Sequence, residues 1–361
     1  MILNPKLMKT LFKIIFIYFF VISFGQDCIE GIEVELWDEC YNIEETTEIN
    51  FSYISLGEIP PDIGQLINLN YIHLSDCGIQ GALPPEIGNL ENLTSLQIYD
   101  NNLDLPDSLN MDIDSNLIGE IPSEIGNLSN LVQLDLRNNQ LSGTIPLELG
   151  QLNNLNGLLL NGNQFSGEIP SGIGTLINLV SLTLDNNQFA GQIPESLFDL
   201  SNLNFLGLAN NQLTGNISSN INNLDSLYYL DLSLNYLTGE IPNEMDDIDL
   251  VFLKLNDNQL SGAIPPEFCN IYSVDLSNNE FCPEYPSCLT GEELGYQDTS
   301  QCNDDFCDLD LDGEINIIDV VIVINCIIGT DDCDYICMDY NDDQNIDVLD
   351  IIIMINIILN N

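Results

Sequence analysis

Two segments near the C-terminal end of the chain carry oxygen-bearing side chains at the same alternating spacing. A tight loop with such spacing brings six to eight oxygens together at about 2.3–2.6 Å, which is the environment that Ca²⁺ prefers. In the first loop Gly313 stands at the sixth position, where the chain must turn sharply, and Glu314 offers its backbone carbonyl. We therefore predict two calcium ions, one held by Asp308, Asp310, Asp312, Glu314, Asn316 and Asp319 and the other by Asp339, Asn341, Asp343, Asn345, Asp347 and Asp350.

The surroundings of these loops are duplicated as well. An apolar stretch with the length of a short helix follows each loop, at Val320–Ile328 and at Ile351–Leu359. Paired calcium loops that each have only an exiting helix resemble a type I dockerin module. The resemblance implies a small all-α domain that binds a cohesin-type module, and such modules often accompany secreted polysaccharide-degrading enzymes. An acidic surface loop that binds no metal is the alternative.

One departure from the dockerin pattern concerns the partner. Cellulosomal dockerins commonly carry Ser-Thr at loop positions 10 and 11, whereas this chain has Ile317-Ile318 and Val348-Leu349. The four cysteines in this region, Cys307, Cys326, Cys333 and Cys337, are also unusual for the module. A cohesin partner of the conventional cellulosomal kind is therefore in doubt.

The charge balance excludes several classes of function. The 361 residues include 57 acidic side chains, 5 basic ones and a single histidine, which gives a formal charge of -52. Nothing in such a chain could neutralise phosphates, so neither nucleic acid nor an anionic membrane surface is an expected partner. One histidine also leaves little for imidazole catalysis or zinc binding. Because 45% of the residues are hydrophobic, the chain can still build a core.

The N-terminus is typical of an export signal. Lys6, Lys9 and Lys13 precede the apolar run Ile14–Phe24, and small residues suit cleavage after Gly25. We predict a signal peptide over residues 1–25, with a short membrane anchor as the alternative, and no other membrane insertion. The chain has eleven cysteines, which indicates an oxidising compartment and a secreted or cell-surface protein.

Repetition dominates the middle of the chain, from about residue 49 to residue 281. The dipeptide Ile-Pro recurs with a constant step of 24 residues from Ile121 to Ile241, which is typical of a solenoid. In one unit Leu134 and Leu136 alternate with polar residues, so a short strand with one inward face is predicted. Asn139 ends the strand, and we expect its amide to bond neighbouring coils. Its equivalents are Asn163, Asn187, Asn211, Asn235, Asn258 and Asn279.

These units resemble leucine-rich repeats, and Ser142–Pro146 looks like the plant-type subclass. The resemblance implies an α/β solenoid with a parallel sheet on its concave side, and that side usually carries recognition. About nine units are expected, with a bulge at Leu105–Ser115, where the step lengthens to 38 residues. The predicted domains are a signal peptide (1–25), an N-terminal cap with the first repeat (26–58), repeats (59–281), a C-terminal cap (282–303) and the dockerin-like domain (304–361).

Caps are expected at both solenoid ends, because terminal coils expose core. Cys28 and Cys40 lie before the first repeat, and the family often closes its cap with such a disulfide. Cys269, Cys282, Cys288 and Cys302 gather after the last repeat. Cys77 occupies the position of Asn139 in its own unit, so we predict a buried free thiol there.

Ligand recognition is predicted on the outward positions of the concave strands. Aromatic rings among carboxylates could bind a protein or a glycan. The rings do not form one dense cluster in the sequence, so a structural or adhesive spacer with solvated strand positions is the main alternative. We do not expect an enzyme: a glycosidase has its carboxylates, but a strand face offers no deep cleft to desolvate an acid. We expect a monomeric solenoid. Its candidate ligand-binding residues are Tyr71, Tyr99, Asp135, Arg137, Asp185, Phe205, Tyr229, Asp231, Phe252 and Lys254, and His73 and Asp275 also face outward.

Overall fold

The computed structural model describes residues 28–101, 116–283, 285–299, 302, 316–328 and 347–360. The chain divides into two compact units, the first ending at Asp298 and the second beginning at Thr299. The predicted signal peptide, the expected bulge at Leu105–Ser115 and most of the predicted calcium ligands lie outside the described residues.

The first unit begins with an antiparallel hairpin and then alternates between two parallel sheets. The hairpin is β1 (Glu33–Leu36) and β2 (Glu39–Asn42). Sheet A takes every odd-numbered strand that follows: β3 (Glu48–Ser52), β5 (Tyr71–Ser75), β7 (Ser95–Tyr99), β9 (Gln133–Asp135), β11 (Gly157–Leu159), β13 (Ser181–Thr183), β15 (Phe205–Gly207), β17 (Tyr229–Asp231), β19 (Phe252–Lys254) and β21 (Ser273–Asp275). This is the parallel sheet that the repeat pattern predicted.

Sheet B was not predicted. No strand is predicted from the sequence over Gln140–Gly143, but this segment is a strand, because its peptide groups bond to the same segment of adjacent coils. Gly143 itself adopts a φ of 78° and bends the chain out of the strand. The members of sheet B are β4 (Gly57–Glu58), β6 (Ile79–Ala82), β8 (Leu117–Gly119), β10 (Gln140–Gly143), β12 (Gln164–Gly167), β14 (Gln188–Gln192), β16 (Gln212–Gly215), β18 (Tyr236–Glu240), β20 (Gln259–Gly262) and β22 (Glu280–Phe281).

Short 3₁₀ helices close each coil. Most of them begin directly after the proline of the Ile-Pro dipeptide, whose fixed φ of about −65° suits a helix start. Leucines and isoleucines from both sheets and from these helices form one continuous core, in which Leu134, Leu158 and Leu182 are fully buried. The helices are Pro61–Gln65, Pro85–Asn89, Ser123–Asn127, Leu147–Gln151, Ser171–Thr175, Glu195–Asp199, Ser219–Asn223, Asn243–Asp247 and Pro266–Asn270.

The predicted asparagine ladder is present. The amide of Asn187 donates to the carbonyls of Leu160 (3.1 Å) and Leu184 (3.0 Å). Its Oδ1 accepts the backbone N–H of Phe165 at 3.0 Å. One buried side chain thus satisfies backbone groups of its own coil and of the preceding one. The same pattern recurs at Asn163, Asn211, Asn235, Asn258 and Asn279.

Cys77 stands in this ladder as a thiol. It is fully buried, forms no disulfide and donates to the carbonyls of Phe51 and Ser75, both at 3.3 Å. Burial raises the pKa of the Cys77 thiol to about 11. The prediction of a buried free thiol is therefore confirmed, and its protonated state makes it unreactive at neutral pH.

Both ends of the solenoid are covered. At the N-terminal end a Cys28–Cys40 disulfide staples the hairpin, and the indole of Trp37 donates to the carbonyl of Glu58 at 2.8 Å. At the C-terminal end Cys269 pairs with Cys288. The short helix α1 (Gly291–Leu294) follows, and its Glu293 carbonyl accepts the N–H of Leu276 at 2.8 Å, which satisfies the last strand of sheet A. Cys282 and Cys302 are also disulfide-bonded.

The second unit contains the two predicted helices. They are α2 (Ile317–Ile327) and α3 (Val348–Asn360), so each begins three residues before the apolar stretch that predicted it. The two helices pack against each other, with Val320, Val323 and Met354 buried. In the described part of the chain, no helix has both the length and the apolar character needed to cross a membrane.

The turn before the asparagine ladder has one costly residue. At the residue before each ladder asparagine, most coils have Asn or Asp in the left-handed conformation. Leu234 occupies this position in its coil, adopts a φ of 55° and is half exposed. A leucine in this conformation destabilises the fold by about 1–2 kcal/mol. At the same position in the preceding coil, Asn210 donates to the side chain of Asn186 at 2.9 Å. We expect Leu234→Asn to raise the free energy of unfolding by about 1 kcal/mol and the Tm by about 2–4 °C.

The matched control is Asn210→Leu, which should lower the Tm by a similar amount. Thermal unfolding followed by circular dichroism measures both changes. A Tm that falls in Leu234→Asn would contradict this explanation of the position.

Candidate ligand-binding face

Side chains on the outer face of sheet A form three rows, because the strands pair without slippage. Phe205 pairs with Tyr229, which pairs with Phe252, and these residues belong to the first row. Gly207, Asp231 and Lys254 are successive members of the second row. Asp185 and Ala209 lie two residues further along their coils, in the third row. Identical positions in neighbouring coils are therefore about 4.8 Å apart.

Five exposed or half-buried rings meet near the C-terminal end of sheet A. Phe205 and Tyr229 stack with centroids 4.1 Å apart and planes 4° apart. Tyr229 lies 6.0 Å from Phe252, and Phe252 also contacts Tyr228 (5.5 Å) and Tyr272 (5.9 Å) edge-on. We call these five residues the aromatic cluster. The expectation that the face lacks a dense cluster is wrong, because Tyr228 and Tyr272 precede their strands by one residue and still reach Phe252.

A charge pair is embedded beside the cluster. Asp231 accepts from the Tyr229 hydroxyl (3.0 Å) and from the Ser233 hydroxyl (2.6 Å), and its Oδ2 lies 3.4 Å from Lys254 Nζ. Burial opposes the charge on Lys254, but the carboxylate of Asp231 outweighs it and raises the pKa of that lysine. Asp231 is only 7% exposed, so it is not a solvated ligand. It holds Tyr229 and Lys254 in place.

Asp185 has a different environment. Its Oδ1 accepts the N–H of Ala209 at 3.0 Å, and its carboxylate leans over Gly207 so closely that any side chain at residue 207 would collide with it. Burial raises the pKa of Asp185 to about 6, although hydrogen bonds from backbone N–H groups oppose the shift. Gly207 was not predicted as a site residue. Only its position between the coil that carries Asp185 and the coil that carries Asp231 could have indicated it.

A second group of candidate residues lies near the N-terminal end of sheet A. Tyr71 and Tyr99 pack against His73, with centroids 6.2 and 5.4 Å from the imidazole. The Arg137 guanidinium lies 4.7 Å from the Tyr99 centroid and forms a 3.1 Å ion pair with Asp135. Asp135 is 2% exposed, and this burial raises its pKa even though Arg137 opposes the shift. This acid too positions a cation rather than facing solvent.

The structure therefore separates the predicted ligand-binding residues into two groups. Between them, β11 and β13 carry Gly157 and Ser181 in the first row. From β9 to β15 is three strand steps, or about 14 Å. A ligand that touches both groups must be extended across the strands. The described chain has two ion pairs with lysine or arginine, and one lies in each group.

Four of the predicted calcium ligands are within the described residues, and they cap helices. Asn316 Oδ1 accepts the N–H of Ile318 (2.8 Å), and Asp319 Oδ2 accepts the N–H of Asn316 (2.8 Å). In the second loop Asp347 and Asp350 make the equivalent bonds at 2.7 Å each. These pairs stabilise the starts of α2 and α3. Asp308, Asp310, Asp312, Glu314, Asp339, Asn341, Asp343 and Asn345 lie outside the described residues.

One carboxylate oxygen of the second loop, Oδ1 of Asp350, shows whether the residues there suit a calcium ion. Asp350 is fully buried, and its Oδ1 has no hydrogen-bond partner among the residues that the structure describes. A buried carboxylate oxygen without a partner is costly, and a cation would satisfy it. Loop position 12, which Asp350 holds, is a calcium ligand in such loops. No cluster of three metal-binding side chains occurs among the residues that the structure describes.

Asp185 gives a prediction about stability. Because folding raises its pKa from 3.8 to about 6, the carboxylate destabilises the fold, with no cost at low pH and the full cost above pH 6. We expect Asp185→Asn, which keeps the oxygen that accepts from Ala209, to stabilise the protein by about 1–3 kcal/mol at pH 7.5. At pH 4 the Tm of the variant should approach that of the wild type. A variant that is less stable at pH 7.5 would overturn the burial argument.

The repeats match a known family. Six segments match the Leucine Rich Repeat family, at residues 68–90, 130–152, 154–176, 178–200, 226–248 and 249–271. Among proteins of curated function, none matches this chain.

Solved structures share the architecture. A TDR receptor is 35% identical over 65% of this chain, with a TM-score of 0.58. The Arabidopsis receptor kinase HAESA, in complex with the peptide hormone IDA and the co-receptor SERK1, is 34% identical over 66% of this chain, with a TM-score of 0.57. This chain covers 39% and 38% of those two chains. A plant ice-binding protein is 26% identical over 75% of this chain and 82% of its own, with a TM-score of 0.56. Together with the parallel sheets, these matches show that the first unit has the fold of a leucine-rich-repeat solenoid.

Proposed function

We propose that this protein is a secreted binding protein that recognises a protein or glycan on the outer face of sheet A. The observation that carries the proposal is the aromatic cluster, whose rings contact one another and remain exposed or half-buried beside the Asp231–Lys254 pair. Large rings held by their neighbours lose little rotational freedom when a ligand binds, so they are efficient contact surfaces. The disulfides agree with a secreted or cell-surface location.

The similar structures support recognition but do not name a ligand. HAESA is described in complex with a peptide hormone, whereas another protein with the same architecture is described as ice-binding. Fold alone therefore does not decide between functions. The aromatic cluster favours recognition over a spacer, because solvated spacer positions have no reason to gather five rings. Recognition also suits the face better than catalysis, since Asp231 and Asp135 are each held in an ion pair.

For the second unit we propose calcium-dependent tethering, with a cohesin-type module as one candidate partner. Calcium would be held by the two predicted ligand sets, including the four residues that cap α2 and α3. Bound metal would fix each loop against the helix that follows it. The partnerless Oδ1 of Asp350 supports this proposal. Anchoring through this unit would leave sheet A free to bind, so the protein would act as an adhesive or as a non-catalytic accessory of a polysaccharide-degrading system.

Recognition by the aromatic cluster is tested by affinity capture from the native secretions. We expect the triple variant Tyr229→Ala, Phe252→Ala and Lys254→Ala to lose the ligand that the wild type captures, because it removes the centre of the cluster and its cation. Tyr236→Ala is a matched control, since Tyr236 is 53% exposed on sheet B. Equal capture by the triple variant, with unchanged circular dichroism, would favour the spacer.

Calcium binding is tested by titration calorimetry. Loop one has Gly313 at the sixth position and loop two has Gln344. A sharp turn there favours glycine by about 1–2 kcal/mol, so we predict about tenfold tighter binding to loop one. Asp308→Ala and Asp339→Ala isolate the two sites, and Gln344→Gly should tighten loop two. Equal affinities in the two isolated sites would contradict this argument, and no heat from either would remove the calcium proposal.

A further inference from the structure

We propose that the partner of sheet A is a basic peptide segment, and that one of its arginine side chains lies beside Gly207, between the ring of Phe205 and the carboxylate of Asp185. The inference rests on the proposed function and names the chemistry of the ligand. It also defines a subsite, which we call the Gly207 subsite and which consists of Phe205, Gly207 and Asp185.

The shape of the subsite follows from strand register. Gly207 lies between Thr183 and Asp231 in the second row and contributes no side chain. Phe205 rises beside it, with one face covered by Tyr229. On its other side Phe205 pairs with Ser181, which is too small to cover a ring. The carboxylate of Asp185 fills the space directly over Gly207, and the face of Phe205 that Tyr229 leaves uncovered lies beside it.

The charge of the subsite identifies its occupant. The carboxylate of Asp185 leans over Gly207, and no lysine, arginine or histidine pairs with it within 4.0 Å in the described ranges. Lys254, the nearby cation, is already paired with Asp231 at 3.4 Å. A guanidinium is planar, stacks on an aromatic face and bonds a carboxylate with two N–H groups. A guanidinium can therefore stack on Phe205 and bond Asp185 at the same time, whereas an ammonium group has no planar face to stack on the ring.

The wider surface agrees with a basic partner. From β13 to β21 the outward charges are three carboxylates, Asp185, Asp231 and Asp275, and one ammonium, Lys254, a net of two negative charges. The whole chain has a formal charge of -52. Such a field accelerates the approach of a basic segment and repels an acidic one. A neutral glycan gains nothing from this charge, so the observations favour the peptide.

Binding of a cation should depend on pH. Burial raises the pKa of Asp185 to about 6, and a guanidinium at contact distance favours the ionised carboxylate. Affinity should be highest above pH 6 and should fall as the pH drops through that value, because binding must then displace a proton. A neutral ligand held by stacking alone would show no such fall.

The experiment uses calorimetry on the full chain with an acetylated peptide of four Arg-Gly pairs and with its citrulline analogue, in 150 mM salt. We expect the arginine peptide to bind at least tenfold more tightly than the citrulline peptide at pH 7.5, and to weaken severalfold at pH 5. Asp185→Asn should weaken binding about tenfold while its Tm shows that it is folded. Gly207→Ala should also weaken it, because the added methyl group collides with the carboxylate of Asp185 and displaces it.

The matched control is Asp225→Asn, which removes one exposed carboxylate outside sheet A and should leave the affinity within twofold. Equal losses in Asp185→Asn and Asp225→Asn would show long-range attraction only and would overturn the subsite. Binding of cellohexaose in place of the arginine peptide would overturn the peptide assignment but leave recognition by sheet A intact. A failure of the proposed function itself would be seen in a different experiment. There the triple variant Tyr229→Ala, Phe252→Ala and Lys254→Ala would capture the same ligand from the native secretions as the wild type does.

Discussion

The asparagine ladder is the constraint on which the rest of the solenoid depends. Each of the six ladder amides from Asn163 to Asn279 satisfies carbonyls in two successive coils and accepts a backbone N–H from the preceding one, as Asn187 does for Leu160, Leu184 and Phe165. The strand must therefore end at the same residue in every coil, and the chain must turn there through a left-handed residue. Unpaired buried peptide groups would cost too much for a coil to slip by one residue.

Fixed register is what converts a repeat into a binding surface. Because coils cannot slip, side chains at one repeat position form a straight row about 4.8 Å apart, and rings at that position stack as Phe205 and Tyr229 do. The same register places Gly207 beside Asp185. Buried acids then hold the cations, Asp135 for Arg137 and Asp231 for Lys254. Recognition residues are thus positioned by their rows rather than by flexible loops.

Much of the first unit could be predicted from sequence. The alternation around Leu134 and the recurrence of Asn139 predicted sheet A, its inward face and the ladder, because those features repeat with an exact period. Sheet B was missed because its strands are short and five of the ten begin with glutamine. Such a segment resembles a turn, and only contact with the adjacent coils makes Gln140–Gly143 extended. The two groups of site residues are separated by the small residues of β11 and β13, Gly157 and Ser181, which no sequence pattern singled out. The same is true of the roles of Tyr228, Tyr272 and Gly207, which no pattern in the chain encodes.

The most direct measurement is site-specific photo-cross-linking in the native secretions. A benzophenone amino acid replaces Phe205 on sheet A or, in the same coil, Gln212 on sheet B, and the cross-linked peptides are identified by mass spectrometry. If sheet A carries recognition, position 205 should yield one dominant adduct to a peptide that contains arginine, and position 212 should yield none above background. Equal adducts at the two positions, or an adduct only at position 212, would contradict recognition by the outer face of sheet A.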